Sequence, residues 1–516
     1  MERARAWLRR YGFAVGLCVV LVYVFPYFPK IRSANELPRV FLTQAMVDHG
    51  TFAIDHGGAL VRNTADVSQW GDHYYSNKAP GSSMLAIPGY LVVKVASGGD
   101  PSLGAMMWTA RFTTGILPTL GFLVLLWGFL ARFAPEPAIR RAVLLAYALG
   151  SMALVYSVLF ISHQLSAICI ASAWIIAFQV TADERGPRWM LLAGFLAGAA
   201  PLCDYQAAFA GVPVAIAIGW RVWQRPDRWR LFAMAAGAAA VPIAILFAYH
   251  AACFDSPLRT GYDASQTWAG YHQKGFLGIT ELRAEAFYGS MFAPDNGLIT
   301  LCPWLLLAVP GTWLLWKRGR RRGARDREVA VVGAAIAIIY VLFISSINFW
   351  RGGWQVGPRY ITVMLPFVLP AVAAALAEVD RRTVLRGIAL GLVVVGVIIY
   401  TTSVATYPHW PDRYKDQNPL YEVSFRLLRE GHAPYSLGWA LGLRGVAGLV
   451  PYFVVVAGLV GVVLVPRWER RYLVSAGIAV VVAVGIVAAY AAFPRGAAGK
   501  DEAAYRDYVA GSMPRN

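Results

Sequence analysis

The stretch Ser83-Met84-Leu85-Ala86-Ile87-Pro88-Gly89-Tyr90-Leu91-Val92-Val93-Lys94-Val95-Ala96 decides how the whole chain is threaded. It is apolar but short: about 14 residues make about 21 Å of helix, against a hydrocarbon core of about 30 Å. Pro88, Gly89 and Lys94 interrupt it further. Counted as a span, it inverts the orientation of everything after it; laid on the outer surface as an interfacial helix, it leaves that orientation alone.

The loops on either side favour the interfacial placement. An uncleaved anchor from Tyr11 to Phe28 follows Arg3, Arg5, Arg9 and Arg10 and is closed by Pro26-Tyr27-Phe28-Pro29-Lys30 in place of a small-residue cleavage site, which puts the N-terminus in the cytoplasm. Further spans run roughly Trp108 to Leu130, Val143 to Phe160, Leu165 to Thr181, Trp189 to Cys203, Ala207 to Trp220 and Leu231 to His250. The rest are Gly297 to Trp316, Val329 to Ile347, Tyr360 to Glu378, Gly387 to Ser403, Trp439 to Val465 and Tyr472 to Phe493, about thirteen in all. Every arginine-dense short loop then lies inside, including Arg221/Arg225/Arg228/Arg230 and the run Lys317-Arg318-Gly319-Arg320-Arg321-Arg322, as the positive-inside rule requires. The opposite parity places that run outside.

Composition agrees. In 516 residues, 58% are hydrophobic and 15% charged, with mean hydropathy +0.50, where a soluble domain carries roughly 25% charged residues. The net charge of +18 is spread among topogenic loops and forms no single basic face, which excludes nucleic acid as a partner. The expected fold is an all-α polytopic membrane bundle forming one domain over residues 1–516. Long outer loops span 30–107, 251–296 and 405–438, and a charged tail follows Phe493. Long loops in a compact protein tend to carry function. The five cysteines have no CxxC or metal-ligand spacing and read as packing residues.

The first outer loop holds most of the chemistry-bearing residues. Glu36 stands at the start of a helix with Pro38 in its first turn and Gly50 as a stop; a carboxylate there is either a cap or a general base at the outer face. Lys78, beside Ala79-Pro80-Gly81 and just before the interfacial helix, is placed for an anionic phosphate; a surface lysine with its charge in water is the plainer reading. Asp48-His49 and Asp55-His56 are pairs able to take a divalent cation, although no ligand set is defined and no cofactor is required.

In this order, Asn35-Glu36, Arg39-Val40, the turn Tyr75 to Pro80 with Lys78-Ala79-Pro80, and a surface helix resemble the GT-C membrane glycosyltransferases, in particular the protein O-mannosyltransferase and lipid A aminoarabinose transferase branch. That family usually has Asp-Glu followed by Arg-Tyr, then Lys-Pro-Pro. Arg111 looks like the family's arginine at the outer end of the next span. The segments Phe292-Ala293-Pro294-Asp295-Asn296-Gly297 and Trp350-Arg351-Gly352-Gly353-Trp354-Gln355-Val356-Gly357-Pro358-Arg359-Tyr360 resemble its outer-loop junctions.

The resemblance implies an inverting transfer of sugar from a polyprenyl-phosphate donor to a glycan, lipid or protein acceptor at the outer face of the inner (plasma) membrane. Lys78, Arg111 and Arg359 would bind the donor phosphate, and Glu36 would be the base because Asn35 replaces the family's acid. Asn35, Arg39, Asp48, Tyr75, His163, Trp354 and Tyr360 are the further candidate substrate contacts, with membrane lipids around them and no metal site. Two other classes compete. A transporter or flippase of a lipid-linked substrate would carry polar groups at the midplane, which these spans almost lack. A noncatalytic member of the same fold is what the amide at Asn35 would favour.

Overall fold

The structure, a computed structural model, describes residues 2–25, 33–275, 278–322, 324–411 and 417–493. The turn Pro26 to Lys30 and the tail after Phe493 lie outside the described residues, as do the side chains of Arg3 to Arg10.

Backbone N–H and C=O groups find no water in hydrocarbon, so runs this apolar close their hydrogen bonds within helices. Each of the thirteen segments read from the sequence contains helix. Eight helices among the described residues are long and apolar enough to cross a membrane: Leu103–Leu130, His163–Thr181, Arg228–Phe254, Arg325–Ser346, Arg359–Val379, Thr383–Thr406, Gly445–Leu464 and Arg470–Tyr490. Glu2–Val24, Trp189–Cys203, Ala208–Trp223 and Ala308–Arg322 join them in the bundle.

Three expected spans differ in detail. Val143 to Phe160 is a bent pair, Pro137–Ala148 and Met152–Val158, turned by 62°. The break lies at Gly150, whose carbonyl accepts from Trp304 Nε1 at 2.7 Å and against which Gly396 packs without room for a Cβ. Gly297 to Trp316 is interrupted before Pro303, and its long helix begins only at Ala308. The helix expected from Trp439 starts at Gly445, since Gly442 and Gly445 take φ of 79° and 50°.

Small residues allow a close helix crossing. A Cβ on Gly194 or Gly198, spaced as GxxxG, would collide with the carbonyl oxygens of Ala235 and Ala239 on Arg228–Phe254. Gly198→Ala is therefore expected to lower stability by about 1–3 kcal/mol through overpacking. Gly237→Ala, with nothing within 4 Å of its Cβ, should be neutral or gain up to about 1 kcal/mol from helix propensity. Thermal unfolding in detergent compares the two; equal melting temperatures would refute the close crossing.

The loops segregate to opposite ends. At one end, Arg225 meets Asp183 at 2.7 Å, Arg221 meets Glu328 and Arg325 meets Glu184. Helix His163–Thr181 runs from there to the other end, where residues from 33–111, 261–268, 350–359 and 409–410 converge. There the stretch after Ser83 forms Ile87–Ala96, ten residues long. Its Gly89 and Tyr90 face the bundle, while Leu91, Val92 and Val95 are 45%, 69% and 82% exposed, as suits a helix lying flat in a lipid surface.

Candidate functional site

A small hairpin, not read from the sequence, sets the centre of the site. Val67–Trp70 and His73–Ser76 pair antiparallel around Gly71-Asp72, with Val67 opposite Ser76. Gly71 supplies the positive φ, 58°, that so short a turn needs. The register carries past both open ends: Asn77 N–H donates to Asp66 C=O at 3.4 Å, and Lys78 Nζ lies 3.2 Å from Asp66 Oδ1. Four-residue strands are marginal alone. The 251–296 loop braces these, through Gln69 N–H to Ala264 C=O and Gln266 N–H to Val67 C=O, each 3.1 Å.

The helix Glu36–Gln44 opens with a reciprocal Ser33–Glu36 pairing, the capping-box pattern: Ser33 N–H donates to Glu36 Oε2 at 3.1 Å, and Glu36 N–H to Ser33 Oγ at 3.3 Å. The Glu36 carboxylate is fully buried. Arg111 grips it with Nε at 2.8 Å and Nη2 at 3.0 Å, and Phe160 N–H donates at 2.9 Å. Burial alone would raise its pKa, but the Arg111 charge and hydrogen bonds prevail and hold it below the usual carboxylate range. His409, 4.0 Å from Glu36, is pushed down to about 4 chiefly by burial, so it is neutral at pH 7.

Arg39, one turn on, fastens three segments. Its Nε donates to Asn35 Oδ1 at 3.1 Å, Nη1 to Ser82 Oγ at 2.6 Å and Nη2 to Ser162 Oγ at 3.0 Å. Beside it His163 Nδ1 meets Asp204 Oδ2 at 2.5 Å. Arg359 is delivered by the glycine-rich turn before it. Gly352 has φ 66° and no room for a Cβ beside the guanidinium, while Arg351 to Asp295 at 2.6 Å and Gln355 to Asn296 at 2.7 Å tie that turn to the 292–297 segment. Gln355 N–H also donates to Trp410 C=O at 3.0 Å, which draws in His409. Burial, then Arg359 and Arg39, lower the Lys78 pKa to about 8 against the opposing pull of Asp66. Asp66 would be raised by burial but is held low by Lys78, Arg359 and Arg39.

Three spaces meet here. A cavity of about 310 Å³ is lined by Asn35, Asp66, Trp268, Phe349, Trp354, Arg359 and His409. It shares Asn35 and Arg359 with a tight polar neck of about 10 Å³ that also holds Arg39, Lys78, His163 and Asp204. The neck shares Tyr205, Tyr262 and Tyr360 with an apolar groove of about 220 Å³ lined by Phe209, Leu246, Phe247, Leu258, Phe343 and Ile347.

Of the residues expected from sequence, Asn35, Arg39, Lys78, His163, Trp354, Arg359 and Tyr360 line these spaces. Four do not. Glu36 and Arg111 are fully buried and paired with each other, and neither lines the three spaces. Asp48 joins Lys94, at 2.6 Å, and Tyr90, and thereby pins the interfacial helix. Tyr75 packs edge-on against Phe254, with ring centroids 5.6 Å apart. The divalent pairs are likewise spoken for, Asp55 by His73 at 2.8 Å and His56 by Gln44 at 3.2 Å. No three His, Cys, Asp or Glu side chains converge on a metal position among the described residues. In the sequence Asp66 and Asp204 are only weak candidates among the outer carboxylates, and His409, Tyr262 and Trp268 carry no signal beyond their place in long outer loops.

The sequence matches no family model and no curated protein. Among solved structures it is similar to ArnT from Cupriavidus metallidurans in the apo state, with TM-score 0.52 and 14% identity over 98% of this chain and 78% of that one. It is also similar to ArnT from the same organism bound to undecaprenyl phosphate, with TM-score 0.44 and 14% identity over 94% and 78%. What is shared at that identity is the fold: this chain is an all-α polytopic membrane protein with the architecture of ArnT.

Proposed function

We propose that the protein is a membrane glycosyltransferase that moves a sugar from a polyprenyl-phosphate donor to an acceptor at the extracytoplasmic face of the inner membrane. The observation that carries this reading is the order of the three joined spaces, which follows the donor's own chemistry. An apolar groove suits a prenyl tail, and a cationic neck suits a phosphate. A cavity walled by Trp268, Phe349 and Trp354, with Asn35, Asp66 and Arg359 among them, suits a sugar, whose apolar C–H faces stack on aromatic rings.

The charge count agrees. Arg39, Lys78 and Arg359 face Asp66 and Asp204, three cations against two carboxylates, with Asn35 neutral where an acid would balance them. An anionic group completes that balance. Lys78 and Arg359 hold the phosphate where neck and cavity meet, and Arg39, occupied by its four hydrogen bonds, shapes the neck. A lipid phosphate leaves readily when its growing charge is held by fixed cations, and attack opposite it inverts the anomeric carbon. The fold of ArnT is consistent with this chemistry. The positive-inside rule assigns the basic end of the bundle to the cytoplasm, which supports a site on the outer side and an N-terminus inside.

The test is transfer or hydrolysis from a panel of radiolabelled polyprenyl-phosphate sugars by the protein in nanodiscs. Turnover of one donor is expected; saturable donor binding with no turnover, even with candidate glycan, lipid and protein acceptors, would favour a flippase or noncatalytic role instead. Donor affinity should also depend on pH with a definite sign. Only the ammonium form of Lys78 attracts phosphate, so Kd should be flat below about pH 8 and weaken by up to about tenfold per unit above it. Lys78→Arg, charged throughout, should remove that rise; a wild-type Kd constant to pH 9.5 would contradict it.

A further inference from the structure

Two polar atoms beside the larger cavity are buried and have no hydrogen-bond partner among the described residues. They are Gln355 Oε1, which can only accept, and Arg359 Nε, which can only donate. Both side chains are held in place. The Gln355 amide gives its N–H to Asn296 Oδ1 at 2.7 Å, and its backbone N–H goes to Trp410 C=O at 3.0 Å, so the amide oxygen is the end left over. Arg359 lies over the ring of Tyr360, its guanidinium carbon 5.3 Å from the centroid.

The two atoms border Gly352, which lines the cavity. A Cβ on that glycine would stand 2.9 Å from Gln355 Oε1, 3.0 Å from Arg359 Nε and 3.2 Å from the Tyr360 ring. Any side chain at 352 would cover them; glycine, at φ 66°, leaves them uncovered on that side. An acceptor and a donor close to one point call for a group that does both, and a hydroxyl is such a group. Buried polar atoms are costly to leave unpaired, which favours a ligand hydroxyl there.

Arg359 decides which hydroxyl. It lines the neck as well as the cavity, where its guanidinium meets the donor phosphate. That phosphate is bonded to the anomeric carbon, so another nitrogen of the same planar fork reaches a group on a neighbouring atom of the sugar ring. The neighbours are the ring oxygen and C2. The ring oxygen carries no proton and would leave Gln355 Oε1 unpaired.

Building on the transferase reading, we infer that Gln355 selects the sugar: the donor carries a free hydroxyl on C2, which donates to Gln355 Oε1 and accepts from Arg359 Nε. The substrate class is a 2-hydroxy pentose or hexose. A 2-deoxy sugar leaves both atoms unpaired, and a 2-acetamido sugar brings more bulk than so narrow a gap admits. Gln355 takes no part in bond making; it holds a hydroxyl that stays on the sugar throughout.

The experiment uses the full chain in nanodiscs and radiolabelled polyprenyl-phosphate pentoses and hexoses that differ only at C2, bearing hydroxyl, hydrogen or acetamido. Wild type is expected to prefer a 2-hydroxy donor over its 2-deoxy counterpart by about 10²- to 10⁴-fold in kcat/KM and to leave the 2-acetamido donor unused. Gln355→Met keeps the length of the side chain and removes the acceptor. It should lower kcat/KM about 10- to 100-fold on the 2-hydroxy donor and less than about threefold on the 2-deoxy donor, a comparison in which the intrinsic reactivity of each sugar cancels. A merely structural Gln355 would cost both donors the same factor. Should Gln355→Met fail to fold, the wild-type series decides alone. Equal loss on both donors, or a wild type indifferent to the group on C2, would mean that water fills the gap and would overturn the assignment while leaving the transferase intact. A wild type that releases sugar from no polyprenyl-phosphate donor would overturn both.

Discussion

Lys78→Ala should lose donor affinity by about 10²- to 10⁴-fold, the equivalent of the roughly 3–5 kcal/mol that breaking one half of a buried ion pair costs. The loss has two sources. One is the ammonium's own attraction for phosphate. The other is Asp66, 7% exposed and 3.2 Å from Lys78 Nζ, which keeps its charge beside Arg359 and Arg39 and then confronts the phosphate without a screen. Adding Asp66→Asn should therefore recover part of what Lys78→Ala loses, a coupling that a cation acting alone would not show. Equilibrium binding of a radiolabelled polyprenyl phosphate reads both variants. Affinity of the single variant within a few-fold of wild type would remove Lys78 from the phosphate site.

Glu36→Gln should act mainly on stability. The carboxylate is fully buried and grips an equally buried Arg111 by two hydrogen bonds, so neutralising it strands a guanidinium inside the bundle at a cost of about 3–5 kcal/mol. That is a large share of the roughly 5–15 kcal/mol by which a folded domain is stable. The amide also keeps only part of the cap at Ser33 and of the bond from Phe160 N–H. Replacing both partners, Glu36→Leu with Arg111→Leu, should restore much of the loss, because no charge is then left unpaired. The pair carries a pH signature: with the folded Glu36 held low, its contribution is complete above the unfolded value of about 4.3 and is lost as pH falls through the folded value. Thermal unfolding of the three proteins decides; an unchanged melting temperature with abolished turnover would return Glu36 to the role of base.

Much of the bundle was legible because hydrocarbon imposes one rule on every segment. Trp189–Cys203 has the same bounds in sequence and structure, as an apolar run framed by Arg188 and Asp204. The bend at Gly150 was not legible, since its causes, Trp304 and Gly396, lie about 150 and 250 residues away and no local signal names them. The hairpin was hidden for a similar reason, as strands of four residues persist only with the 261–266 segment laid beside them. Within the site, residue types that favour phosphate were visible, but an arginine that lines an open space and one that binds a buried carboxylate look alike in sequence. Arg359 and Arg111 are that pair. His163 next to Gln164 gave no hint of Asp204, because the contact spans 41 residues and a helical hairpin.

The gathering of the site from distant loops has a consequence for biosynthesis. Glu36 leaves the ribosome 75 residues ahead of Arg111 and 124 ahead of Phe160, so at about 5–20 residues per second it stands at the membrane for several seconds before its arginine partner exists. Arg359 and His409 come later still. The nascent chain thus has no complete cavity or neck until most of its helices are inserted, and a ribosome that stalls before residue 359 releases a protein that lacks both Arg359 and His409 from their walls.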